Sequence, residues 1–407
     1  MAIQKLKVSL DFGSSPTEVG TLLLQDQIVY FRYAASFLDT PLEISPFKLK
    51  KSSEIISCPK DPFEGLPGVF NDSIPDGWGR LLLDRKLLEK GMDPNQLSPL
   101  DRLFYLGRHA QGALIYEPCE EDNYSDWPTI DLDLLANETA LLQQTGAANM
   151  LDDLYHLGGN SVGARPKIFV NYQPASDSFS TQYELDSEPW IIKFPALTDF
   201  KDIAKIEFAY ARMAAASGIM MSPSKLFFSA KGHTFFGTKR FDVQNGKHLH
   251  LHSACGLLHD NFRLSTMDYG HVMDAANRLE NNLSACEKVF RLAVFNVCSL
   301  NMDDHSKNVA FLMDAAGKWQ FSPAYDLTYS PKQGGYHSLS VANHYKEPGR
   351  KELLTLAHHF SIKNAADIIE EVKEGVSNFG SFASELEINA SERNLITKAL
   401  ELKLKQL

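Results

Sequence analysis

Short runs of apolar residues alternate with polar ones through the first hundred positions. Lys7 to Leu10, Val19 to Leu24 and Ile28 to Tyr33 each read as a strand, separated by Gly, Pro, Asn and Asp. Pro75-Asp76-Gly77 then opens a helical stretch through Leu88. A polar segment over 118–132, with Pro118, Glu120, Glu121, Asp122, Asn123 and Pro128, reads as a linker or surface loop. From Leu157 to Phe241 the order becomes glycine-rich loop, strand, strand, helix and hairpin. After Met267 the pattern is mostly helical, interrupted between Asn301 and Asp326. These shifts predict an α+β chain of three units: strand-rich over 1–110, mixed over 111–243 and helical over 244–407.

Two positions break the pattern informatively. The strand Trp190-Ile191-Ile192-Lys193-Phe194 carries a lysine among apolar neighbours, which needs water or an anion. The helix predicted over 201–216 has Ile203, Ile206, Tyr210 and Met213 on one face, and Glu207 shares that face. An unpaired carboxylate is costly there. A Lys193–Glu207 ion pair resolves both anomalies, and protein kinases hold their phosphate-contacting lysine in this way. Upstream, Gly158-Gly159-Asn160-Ser161-Val162-Gly163-Ala164-Arg165-Pro166-Lys167 runs into the strand Ile168-Phe169-Val170. Three glycines let backbone N–H groups converge on phosphate oxygens, with the Ser161 hydroxyl beside them. The loop lacks the GxxxxGK[ST] pattern of a Walker A motif.

The densest polar stretch is Asn301-Met302-Asp303-Asp304-His305-Ser306-Lys307-Asn308, delivered by a helix that is apolar nearly all round. A hairpin follows, Val309 to Met313 and Lys318 to Phe321, leading to Ser322-Pro323-Ala324-Tyr325-Asp326. Its antiparallel strands bring Asn308 and Asp326 to one end. One carboxylate can then take a proton from an attacking hydroxyl while Asn308 and Asp326 hold magnesium. The step from Asp303 to Asn308 equals that of the kinase pattern D-x-x-x-x-N; Asp304 fails it and is assigned a supporting role at most. Lys307 is placed to stabilise charge on a transferring phosphoryl group.

Composition narrows the class. Hydrophobic residues make up 44% and charged residues 22%, ordinary for a globular protein. No apolar run approaches the roughly 18 residues that span a bilayer, and charges within Met1 to Phe12 argue against a secretory signal. The five cysteines form no CxxC pair and read as core thiols of a cytoplasmic protein. A net charge of −11 disfavours DNA binding without a basic partner. His248, His250 and His252 alternate along one strand near Cys255; they read as a solvated face, with a zinc site as the alternative.

Taken in order, G-x-S-V-G-A-R-P-K, W-I-I-K-F-P, the helix with Glu207, K-R-F-D, M-D-D-H-S-K-N and S-P-A-Y-D resemble the HipA family. Glu18-Val19-Gly20-Thr21-Leu22 and Pro75-Asp76-Gly77-Trp78-Gly79 resemble its first subdomain. The resemblance implies a protein-kinase-like two-lobed fold with an extra strand-rich amino-terminal subdomain and an all-helical carboxy-terminal lobe. It implies ATP and magnesium as cofactors and Asp303 as the catalytic aspartate, with Asn308 and Asp326 as metal ligands. Lys193 would contact the phosphates, and Lys167 with the 160–166 loop, including Gly163 and Ala164, would cover them. Lys239 and Phe241 would meet adenine through their backbones, at a hinge that Asp242 closes.

Family members are serine/threonine kinases of toxin–antitoxin pairs. They phosphorylate an aminoacyl-tRNA synthetase, which halts translation, and they are silenced by autophosphorylation of a loop serine. A small DNA-binding antitoxin of the HipB type neutralises them and carries them to operator DNA. The serine position, seven before the loop lysine, is here Asn160, which leaves Ser161 as the candidate. Two other readings compete. Asp11-Phe12-Gly13-Ser14-Ser15 resembles the first phosphate loop of actin-like small-molecule kinases, although no second loop accompanies it. A HipA-like chain could also serve as a co-repressor or binding module with weak catalysis.

Overall fold

The computed structural model describes residues 3–120 and 126–407, so Glu121, Asp122 and Asn123 of the polar segment lie outside the described residues. The first unit is an antiparallel sheet of β1 (Lys5–Leu10), β2 (Thr17–Gln25), β3 (Ile28–Tyr33), β4 (Ile56–Ser57) and β5 (Leu114–Glu117), in the order β4-β3-β2-β1-β5. Alternation along β1 and β3 turns one face inward: Leu6, Val8 and Leu10, then Val29, Phe31 and Tyr33, are all buried. Helix α1 (Gly77–Glu89) starts where Pro75-Asp76-Gly77 predicts it.

The second sheet is also antiparallel. It comprises β6 (Lys167–Gln173), β7 (Ser178–Ser180), β8 (Glu188–Lys193), β9 (Ser224–Phe228) and β10 (Thr234–Lys239), ordered β7-β6-β8-β10-β9. Helices α2 (Leu132–Thr145) and α3 (Leu151–Gly158) precede it, and α4 (Ile203–Ala216) joins β8 to β9. Trp78 and Leu82 of α1 share a core here with Leu154, Ile168, Trp190, Phe227 and Phe235.

The last part holds α5 (Tyr269–Glu280), α6 (Leu283–Cys298), α7 (Arg350–His359), α8 (Ala365–Ser377), α9 (Phe379–Glu385) and α10 (Ala390–Gln406). It is mostly rather than entirely helical. A three-stranded sheet of β11 (His250–Ser253), β12 (Ala310–Met313) and β13 (Trp319–Phe321) and a hairpin of β14 (Tyr336–Val341) and β15 (His344–Lys346) interrupt the helices. The reason is local: all four β12 residues are buried, and a strand with neighbours on both sides satisfies their backbone groups. Helix α6 is buried nearly all round, as its composition predicts. One core runs from Leu6 and Phe31 of the first sheet through Tyr210 of α4 to Phe290, Ile369 and Leu400.

The histidines near β11 correct the reading of a solvated face. His250 and His252 are buried; His250 Nε2 bonds the Ile44 carbonyl at 2.8 Å, and His252 lies 2.6 Å from Asp72 and 3.0 Å from Ser45. A period of two shows that alternate residues share a face, not which face is covered. Among the described residues no group of three or more His, Cys, Asp or Glu is arranged for a metal ion. Cys255, Cys286 and Cys298 are core residues, while Cys58 and Cys119 are half-buried. Among the described residues no helix is long and apolar enough to cross a membrane.

Candidate active site

A cavity of about 290 Å³ lies where the second sheet meets the carboxy-terminal part. Gly163, Ala164, Lys167, Lys193, Glu207, Lys239, Phe241, Asp242, Asp303, Lys307, Asn308 and Asp326 all line it. Ser161 does not: its side chain is fully buried beneath the loop, and its Oγ has no hydrogen-bond partner among the described residues. Asp11 lies elsewhere and accepts the Gly13 N–H within its own turn, so the first-loop motif takes no part in the cavity.

The floor is set by register. Strands β6 and β8 pair with Lys167 directly opposite Lys193. Like charges in that relation repel, so the arrangement requires anions. Lys193 has two: its Nζ lies 2.5 Å from Glu207 Oε1 and 2.5 Å from Asp326 Oδ1. Glu207 sits on the buried face of α4 as its spacing predicts, with Arg165 a further 3.9 Å away. Burial disfavours the Lys193 charge, but Asp326 and Glu207 outweigh it and raise its pKa. Burial likewise opposes charge on Asp326, yet Lys193, Lys167 and Arg165 hold its carboxyl well below the usual range. Lys167 differs. Burial lowers its pKa to about 8, and its Nζ bonds the Val162 carbonyl at 2.5 Å.

The chemistry-bearing loop follows α6 and is pinned from beneath. Asn296 of α6 donates to the Tyr269 hydroxyl at 2.8 Å; Asn301 donates to Asn296 at 2.9 Å and accepts from Ser330 at 2.8 Å. Asp304, almost wholly buried, accepts from Tyr269 at 2.9 Å and from the Ser338 N–H at 2.8 Å, and bonds His337 at 2.9 Å. Asp303 turns the other way, with its side chain 52% exposed and 3.2 Å from Lys332. The two neighbouring aspartates thus differ: Asp304 is a buried anchor, while Asp303 is exposed at the cavity. Asn308 Nδ2 donates to the Asp303 carbonyl at 2.9 Å, which fixes the turn. The hairpin β12–β13 returns the chain to Asp326, whose φ of 55° is a strained left-handed value for a non-glycine residue.

The apolar wall includes Phe169, Ile191, Phe236, Phe241 and Leu327, and Phe241 lies 5.4 Å from the Tyr325 ring. At the end of β10, the Lys239 N–H is bonded to Pro223 O at 2.9 Å and its ammonium to Glu188 at 2.8 Å, so any backbone role narrows to its carbonyl. Asp242 is buried against Arg240 at 2.7 Å and accepts the Gly112 N–H at 2.9 Å, so it ties the segment after β10 to the amino-terminal unit.

Sequence reading missed Asp76 and Tyr325 as site residues and gave Arg165 only as part of the 160–166 loop. Arg165 was visible within the loop motif, and its bond to Asp199 at 3.1 Å seats it beside Glu207. Tyr325 donates to the Lys307 carbonyl at 2.6 Å. Asp76 lies 231 residues from Lys307, and nothing local announces their pairing.

A five-stranded antiparallel sheet, a helix whose glutamate pairs the strand lysine, and a mostly helical lobe with an Asp/Asn/Asp set define a protein-kinase-like two-lobed chain with an extra amino-terminal unit. The chain belongs to the HipA family: residues 10–117 match the HipA N-terminal domain and residues 160–379, over half of the chain, match the HipA-like C-terminal domain. The fold agrees with HipA of Shewanella oneidensis MR-1, solved in a complex with HipB and its operator DNA, at a TM-score of 0.68 and 14% identity over 98% of this chain and 95% of that one. A proinflammatory kinase, CtkA of Helicobacter pylori, aligns with a TM-score of only 0.39 at 13% identity, over 54% of this chain and 88% of that one. No curated protein sequence matches.

Proposed function

We propose that this chain is a magnesium-dependent serine/threonine protein kinase of the HipA toxin type. The observation that carries the reading is the cross-strand pair Lys167–Lys193 on the floor of a cavity that Asp303, Asn308 and Asp326 also line. The residues fit a nucleotide. Lys193 is matched by two carboxylates, whereas Lys167 is a buried amine bonded to a carbonyl, the kind of group a phosphate oxygen would complete. A Cβ on Gly163, which has φ +97°, would lie 2.7 Å from Lys167 Nζ, so a side chain there would fill the cradle. Asn308 and Asp326 provide the hard oxygen donors that magnesium prefers.

ATP would supply the phosphoryl group, with magnesium offsetting its charge. Asp303 would orient the acceptor hydroxyl and take its proton. Lys307 would meet charge developing on the transferred group. Phe169, Ile191 and Phe241 would cover the base and exclude water.

An aminoacyl-tRNA synthetase is the acceptor that the family resemblance favours. The complex of the Shewanella HipA with HipB and operator DNA supports a small DNA-binding antitoxin as partner. An acidic chain would then reach DNA through that antitoxin.

The test is incorporation of labelled ATP with magnesium, into the chain itself and into synthetase preparations, mapped by peptide mass spectrometry. Asp303→Ala and Asp326→Ala should each lower transfer by about 100-fold or more. Phosphate on Ser161, lost in Ser161→Ala, would identify the self-modified residue. Failure to bind ATP by calorimetry would overturn the kinase reading and favour a co-repressor.

A further inference from the structure

The glycine-rich loop does not stand by itself; a segment of the amino-terminal unit grips it. Gly163 N–H donates to Asp76 Oδ1 at 2.5 Å, and the Gly163 carbonyl accepts from the Trp78 N–H at 2.9 Å. Both backbone groups of the residue at the loop's tightest turn are therefore bonded to Asp76-Gly77-Trp78. The indole N–H of Trp78 donates to the Lys167 carbonyl at 3.1 Å, beyond the loop. Gly77 and Gly79 permit the approach: a Cβ on Gly77 would lie 2.4 Å from Gly163 O, and one on Gly79 would lie 2.5 Å from Ser161 O. No side chain fits at such distances, so the segment is shaped to the loop.

The other oxygen of the same carboxylate does different work. Asp76 Oδ2 lies 2.5 Å from Lys307 Nζ, the cation of the chemistry-bearing loop. Both side chains are largely buried, at 15% and 6% exposure, so the contact is little screened by solvent. One carboxylate thus joins the loop over the phosphate cradle to the lysine beside Asp303. Asp76 lies in the stretch that matches the HipA N-terminal domain, and both of its partners lie in the stretch that matches the HipA-like C-terminal domain.

We propose that Asp76 is a positioning residue of the active site, whose two oxygens fix the distance between the glycine-rich loop and Lys307. The amino-terminal unit is thereby a working part of phosphoryl transfer. The rate arm of the proposal rests on the kinase reading; the loop-seating arm does not.

The two roles of the carboxylate separate by substitution. Asp76→Asn keeps an oxygen for the Gly163 N–H but gives up the charge facing Lys307; Asp76→Ala gives up both. Hydrogen exchange of residues 159–167 should quicken about tenfold in Asp76→Ala and no more than about threefold in Asp76→Asn, given what one buried hydrogen bond contributes. Under turnover with ATP, Asp76→Asn should lower kcat about tenfold with KM for ATP within about twofold, and Asp76→Glu should recover part of the rate. Gly77→Ala leaves every charge in place but pushes the loop out, so it should raise KM for ATP and quicken loop exchange.

Loop exchange that is unchanged in folded Asp76→Ala would overturn the seating role; if that variant does not fold, Gly77→Ala decides the same point. Wild-type turnover in Asp76→Asn would overturn the role toward Lys307. A wild-type protein that transfers no phosphate would sink the kinase reading and the rate arm together, while the exchange measurement still decides the seating.

Discussion

At the scale of single residues, the site depends on charges that cannot be removed one at a time. Lys193→Met strips a buried Glu207 of its nearest cation, leaving Arg165 at 3.9 Å and the more distant Lys167 to compensate. Its expected effect is a stability loss of about 3 kcal/mol, read from urea unfolding; adding Glu207→Leu should restore most of it. Gly163→Val should weaken ATP binding about tenfold or more by calorimetry, because the new side chain meets Lys167 Nζ, and should also lower Tm, because a β-branched residue is strained at a φ of +97°. The Lys193–Glu207 pair was legible in the sequence because a carboxylate on an apolar helix face demands a partner within local reach. The spacing to Asn308 singled out Asp303, which lines the cavity, from Asp304, which is buried and does not. The Asp76–Lys307 contact was not: both residues sit in polar loops where solvent would satisfy either, and only the tertiary fold brings them together.

At the scale of elements, β11 and His259, beyond the short helix Ala254–Leu258, form a seam with the first unit, and His250 and His259 in it are held neutral by burial. Burial, with His252 nearby, lowers the pKa of His250 from 6.5 to about 3. Burial, then Lys48 and His252, lowers that of His259 to about 4, and His259 Nε2 accepts the Gly68 N–H at 3.0 Å. Below pH 6.5 the unfolded chain takes up protons at rings that the folded chain keeps neutral. Stability should therefore be full above pH 6.5 and fall as pH drops toward 4. Urea midpoints at pH 7 and pH 5 test this, and His259→Gln, which can still accept from Gly68, should flatten the slope. Helix α6 is the other decisive element: Phe295→Ala in its fully buried middle should cost about 3–5 kcal/mol. The elements themselves were largely readable from periodicity. The β12–β13 hairpin and the strand β11 were read from the sequence, but their joining into one sheet was not, because pairing of β11 with β12 joins segments some 60 residues apart, and the β14–β15 hairpin was not read at all.

At the scale of the whole molecule, the acidic balance of −11 sets what the chain can do alone. Purified without an antitoxin, it should be retained weakly or not at all by operator DNA near physiological salt in a gel-shift assay, and retention should appear once a basic partner is added. The largest hydrophobic core crosses the line between the two family domains, joining Leu22 and Phe31 to Phe290 and Ile369. The parts of the chain that look separable as sequence are therefore bound to one another in their history. A substitution in either stretch changes a core that both share, so the halves must drift in step. A chimera joining the first half of one family member to the second half of another, at identities like the 14% seen with Shewanella HipA, would inherit a core whose two faces were never fitted to each other.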